Sequence, residues 1–79
     1  MEIFPGISME TEICSGKPCL IDTSVDVATL VGALGSGQSF EAVQETFHVT
    51  YEQVLTALRY ASYVTDHLPL RMPSQQAES

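Results

Sequence analysis

Ser39-Phe40-Glu41-Ala42-Val43-Gln44-Glu45-Thr46-Phe47-His48-Val49-Thr50-Tyr51-Glu52-Gln53-Val54-Leu55-Thr56-Ala57-Leu58 is the stretch on which the fold turns. Ser39 is a good N-cap, and Glu41 sits in a first turn that favours acids. Phe40, Val43 and Phe47 form one apolar stripe, which predicts a short helix over Phe40–Thr46. His48-Val49 leaves room only for a tight connection. Thr50 with Gln53 fits a capping box, in which each side chain bonds the other's backbone. Tyr51, Val54, Leu55, Leu58 and Ala61 then share one face of a longer helix running to about Asp66. Its other face carries Glu52, Thr56, Arg59 and Tyr63. A short helix, a tight turn and a longer helix make a helix-turn-helix pair, a pattern that many bundles share without touching DNA.

Working toward the N-terminus, Val27, Leu30, Val31 and Leu34 repeat at i, i+3, i+4, i+7 and predict another helix from Val25. Gly35-Ser36-Gly37 ends it. Before it, the spacing is no longer helical. Ile7, Met9 and Ile13 line one side of an extended arm, and Cys19-Leu20-Ile21 is a short β-capable run. An isolated two-stranded hairpin is barely stable, so this arm needs a surface to pair with. Toward the C-terminus, Pro69, Pro73 and the polar end read as a frayed tail.

The expected fold class is therefore all-α, a three-helix (helix-turn-helix) bundle preceded by a short N-terminal β arm or hairpin. Residues 1–67 form one domain, with 1–24 the arm and 25–67 the helical core, and 68–79 form a flexible tail. Length allows no more: 79 residues bury only about 60–65% of their unfolded surface. Such a domain is marginal alone, and self-association supplements it.

Charge narrows the function. Ten acids face three bases, for a net charge of −7. The bases Lys17, Arg59 and Arg71 are scattered. Glu2, Glu10, Glu12, Asp22 and Asp26 fall in the first third, and Glu41, Glu45, Glu52 and Asp66 in the helices. Binding to nucleic acid rests largely on Lys and Arg at phosphates, so this balance weighs against DNA and against anionic membrane surfaces. With 44% apolar and 16% charged residues the chain is too apolar for disorder. No stretch is apolar enough to span a bilayer, and the N-terminus lacks the basic and apolar regions of a secretory signal, so the expected location is the cytosol.

No chemistry-bearing constellation emerges, and the chain is expected to be a non-enzyme with no cofactor and no metal. Cys14 and Cys19 read as small buried or half-buried side chains, with a bond across the intervening turn the sharper alternative. A zinc site would need His48 and His67, whose separation is wrong for a finger. Lys17 beside Gly16 lacks the rest of a phosphate loop. Tyr60 and Tyr63 suit a protein–protein contact, where aromatic residues concentrate; the alternative is that Tyr60 covers the bundle's edge. Candidate partner or dimer contacts are thus Cys19, Leu20, Ile21, Tyr60 and Tyr63. Glu52, Thr56 and Arg59 form the candidate outer face of the third helix.

The run Gly16-Lys17-Pro18-Cys19-Leu20-Ile21-Asp22-Thr23-Ser24-Val25-Asp26-Val27 resembles the signature of the bacterial domain-of-unknown-function family DUF433. There a Gly-Lys-Pro turn leads through a β-branched pair to Arg-Gly-Thr-Arg, an aliphatic residue and Val; Gly16, Lys17, Pro18, Thr23, Val25 and Val27 match. Gly37-Gln38-Ser39-Phe40-Glu41 resembles the family's next element. Phe47, Thr50, Val54 and Ala57-Leu58-Arg59-Tyr60-Ala61 resemble its last, and the likeness covers about residues 7–63. The resemblance implies a homeodomain-like three-helix fold with a short β segment in front, a homodimer, antitoxin-type partnership with a small PIN-like ribonuclease toxin, and in some members repression of an operon through DNA. Ile21 and Ser24 replace the family's two arginines and Asp22 its glycine, which removes charge that phosphate contact would need.

Overall fold

The computed structural model describes residues 1–67. The predicted tail, 68–79, lies outside them. The chain opens with two short strands, β1 (Glu2–Phe4) and β2 (Ile7–Ser8), and after a single 3-10 turn at Cys14–Gly16 adds β3 (Cys19–Leu20). Three helices follow: α1 (Val27–Gly35), α2 (Phe40–Phe47) and α3 (Tyr51–Asp66).

The helix ends follow from local chemistry. Asp26 caps α1, accepting from the Thr29 backbone N–H at 3.1 Å and the Thr29 hydroxyl at 2.8 Å. Because Asp26 is the cap, α1 starts at Val27 rather than Val25. Ser39 caps α2 through the Ala42 N–H at 3.1 Å. Both bonds of the capping box at α3 are formed, between Thr50 and Gln53 at 3.1 and 2.8 Å. His48 adopts the left-handed conformation (φ 57°) that lets α2 turn into α3.

The expected all-α class does not hold. The N-terminal segment forms a three-stranded antiparallel sheet in the order β1-β2-β3. Ile7 pairs with Leu20 and Ser8 with Cys19. The turn between β1 and β2 has Pro5 second and a left-handed Gly6 (φ 87°) third, the residues a type II turn requires. The Gly6 carbonyl accepts from the Ile21 N–H at 3.0 Å, tying this turn to the end of β3. Sheet and helices share one core. Ile7 and Leu20 are as deeply buried as Leu30, Val43, Val54 and Ala57, and all belong to one apolar cluster. The three-helix bundle with a short N-terminal β segment is compatible with this structure; what changes is that the segment is a three-stranded sheet forming one wall of the core, with the three helices as the other.

Candidate functional site

The signature run is a loop around β3. Leu20 is held from both sides: its N–H donates to the Val25 carbonyl at 3.0 Å, and its carbonyl accepts from the Thr23 N–H at 3.1 Å and the Thr23 hydroxyl at 2.8 Å. The Val27 N–H donates to the Pro18 carbonyl at 3.0 Å. Asp22 sits in this loop at φ 65°, a region that L-residues other than Asn and Asp rarely enter. The position that resembled a family glycine is thus one where the backbone asks for glycine, and Asp22 is among the few residues that tolerate it. Burial pushes the Asp26 carboxyl up, but the Thr29 hydrogen bonds and the Lys17 ammonium more than offset this and hold it below its ordinary 3.8.

Cys19 and Leu20 are each 1% exposed. That burial removes them from the candidate contact surface. Ile21 is half-buried and reaches the rim of an open cavity of about 680 Å³. Glu2, Glu10, Glu12 and Asp22 line this cavity with the exposed Ile13, and no lysine or arginine does. The amino group of Met1 pairs with the Glu10 carboxylate.

The outer face of α3 is only partly outward. Thr56, Tyr60 and Tyr63 recur at i, i+4, i+7, and the β1–β2 hairpin lies along that stripe. A Cβ placed on Gly6 would fall 2.7 Å from Thr56 Cγ2. Phe4 packs edge-on against Tyr60, with ring centroids 5.3 Å apart, and against Tyr63 at 5.2 Å. Tyr63 in turn stacks on His67 at 4.2 Å. Tyr60 thus covers the sheet-facing edge, whereas Tyr63 remains 46% exposed. Phe4, Arg59, Tyr63 and His67 line a second open depression at this end of α3. Arg59 and Glu52 stay exposed, but the Arg59 guanidinium lies 3.9 Å from Glu52 and donates to the Thr56 hydroxyl at 3.3 Å. Tyr51, expected on the apolar face, is 54% exposed and leans on Phe40 with centroids 5.6 Å apart.

Sequence reasoning missed Phe4, Gly6 and the acidic cavity. Pro5-Gly6 between Phe4 and Ile7 was the available signal for the hairpin. Among the described residues no group of three or more His, Cys, Asp or Glu is placed to hold a metal ion. No helix among them is long and apolar enough to cross a membrane.

The family described as "Protein of unknown function (DUF433)" matches residues 7–61. Among solved structures, Rv2018 from Mycobacterium tuberculosis is similar, with a TM-score of 0.60 and 31% sequence identity. That match covers 66% of this chain and 24% of that one, so the chain spans about a quarter of that protein's length. No curated protein matches the chain.

Proposed function

The chain belongs to the DUF433 family, whose function is unknown, and we propose that it is a non-enzymatic, antitoxin-like interaction module that binds a basic protein partner. The observation that carries this reading is the cavity bounded by Glu2, Glu10, Glu12 and Asp22 with no lysine or arginine on its walls. On a chain of net charge −7, such a surface attracts cationic side chains and repels phosphate. A protein that handles nucleic acid presents cationic side chains for its own substrate. A small nuclease of the PIN-like class is therefore a chemically fitting occupant.

The alternative reading, a DNA-binding regulator that inserts α3, has less support. The middle of the α3 face lies under the hairpin at Gly6, and its one arginine is turned toward Glu52 and Thr56. A recognition helix must present such a face freely to base edges. The module acts as a homodimer in this reading. The outer edge of β1, unpaired among the described residues, is where a second copy would add.

The test is co-expression of the tagged chain with the product of the adjoining reading frame. A stoichiometric complex is expected, weakened at least tenfold by the double change Glu10→Lys and Glu12→Lys. Failure of that product, and of any other protein of the host, to co-purify in stoichiometric amount would overturn the reading. Light scattering on the pure chain is expected to give twice the 8.6 kDa chain mass.

A further inference from the structure

Among the described residues the sheet has one open edge, that of β1. β3 is closed on its far side: the Leu20 N–H donates to the Val25 carbonyl and the Val27 N–H to the Pro18 carbonyl, each at 3.0 Å, and Cys19 bridges to Asp26. β2 lies between β1 and β3. On β1, Met1 and Met9 exchange both backbone bonds, at 2.9 and 3.2 Å. The next residue of an antiparallel strand faces the other way, so Glu2 turns its N–H and carbonyl away from β2 and out to the edge. Unpaired groups of this kind are a template for another strand.

The two faces of that edge differ in chemistry. Glu2 sits opposite Ser8 and Phe4 opposite Ile7, and an irregularity between Glu2 and Phe4 takes up the odd residue, Ile3. Ile7 and Ser8 are neighbours, so they face opposite sides of the sheet; residues directly opposed across a pair share a side, so Glu2 and Phe4 face opposite sides too. Ile7 is in the core and Phe4 packs on Tyr60 and Tyr63, which marks the helix side. Ser8 and Glu2 both line the acidic cavity, which marks the other. A strand added to β1 therefore has the carboxylates of Glu2, Glu10 and Glu12 near one face, and Phe4 with the 46% exposed Tyr63 near the other.

We propose that β1 takes up an extended segment of the basic protein partner as a fourth strand, one in which lysine or arginine alternates with apolar residues. The cationic side chains lie along Glu2 and the acidic cavity, the apolar ones lie against Phe4 and Tyr63, and main-chain bonds to β1 supply the docking. This rests on the basic-partner reading above and names the form in which the partner binds. Charge complementarity decides the occupant. A second copy paired antiparallel about Glu2 sets two glutamates opposite each other, whereas the segment sets a cation there. The second copy that holds this edge in the free chain is therefore displaced when the partner arrives.

The test titrates the full chain with three octapeptides built equally of lysine and valine: one strictly alternating, one with the same residues in two blocks, and one alternating with its lysine amides methylated. The lysine opposite Glu2 points its N–H at β1, so methyl groups on the lysine amides block the ladder and leave the charge. In isothermal calorimetry the alternating peptide is expected to bind about tenfold or more tighter than either of the others. Glu2→Gln is expected to weaken that binding about threefold. The mass by light scattering is expected to fall from that of the dimer to that of one chain with one peptide. Equal affinity for all three peptides would overturn the proposal and leave the basic-partner reading standing, since charge alone would then suffice. A dimer that stays intact with the alternating peptide bound would overturn it too, as would no binding of that peptide through millimolar concentration. Co-purification with the product of the adjoining reading frame judges the basic-partner reading separately.

Discussion

Replacing Gly6 by alanine probes the contact on which the architecture depends, the hairpin lying on α3. Two penalties arise together. Gly6 has φ 87°, where an L-residue costs about 1–2 kcal/mol. The new methyl would fall 2.7 Å from Thr56 Cγ2, an overpacking worth about 1–3 kcal/mol. The sum, about 2–5 kcal/mol, is a large share of the roughly 4–12 kcal/mol expected of a chain this size. Urea unfolding followed by far-ultraviolet circular dichroism reads it as a midpoint lowered by about 2 M or more, at a slope near 1 kcal/mol/M. Thr56→Ser removes the opposing methyl and keeps the hydroxyl. In the double variant only the backbone penalty remains, so the two changes are expected to couple by the relieved overpacking, about 1–3 kcal/mol. A coupling below about 0.5 kcal/mol would refute the reasoning, because it would mean the turn does not rest on Thr56.

Further outcomes follow from the same structure. Asp22→Gly is expected to stabilise the fold by about 0.5–1 kcal/mol, since Asp22 holds φ 65° without needing its side chain there; a higher urea midpoint checks it. Thr50→Ala removes the cap of α3 and is expected to cost about 1 kcal/mol in the same assay. Leu30→Ala, at a site with no exposure, is expected to cost about 2–5 kcal/mol. Asp26 has a folded-state pKa below its ordinary 3.8, so its contribution is complete above that value and is lost as pH falls through the folded one. Urea midpoints at pH 7, 4 and 3 are expected to drop less in Asp26→Asn than in the unaltered chain.

Much of the helical half can be read from residues close in sequence. Asp26, Ser39 and Thr50 cap where short polar side chains precede apolar periodicity, and Val43, Val54 and Leu30 lie inward as the spacing requires. The sheet is harder to read. Its strands are two or three residues long, too short for alternation to register, and Ile7 finds Leu20 across a distance in sequence that no local pattern encodes. The same non-local packing reassigns the candidate site. Thr56 looks like a solvated helix position until Gly6 is placed against it, and Leu20 looks free for a partner until β2 and the Val25–Val27 segment close on either side. Tyr63 remains 46% exposed although both Phe4 and His67 pack against its ring.

We propose on electrostatic grounds that this anionic domain, whose third helix is partly covered by its own hairpin, binds cationic protein rather than phosphate. Fluorescence anisotropy of a labelled duplex from the chain's own upstream region, titrated with the protein at about 50 mM salt, addresses this most directly. No change in anisotropy through micromolar protein is the expected result. Saturable binding whose affinity falls linearly with the logarithm of salt concentration would contradict it.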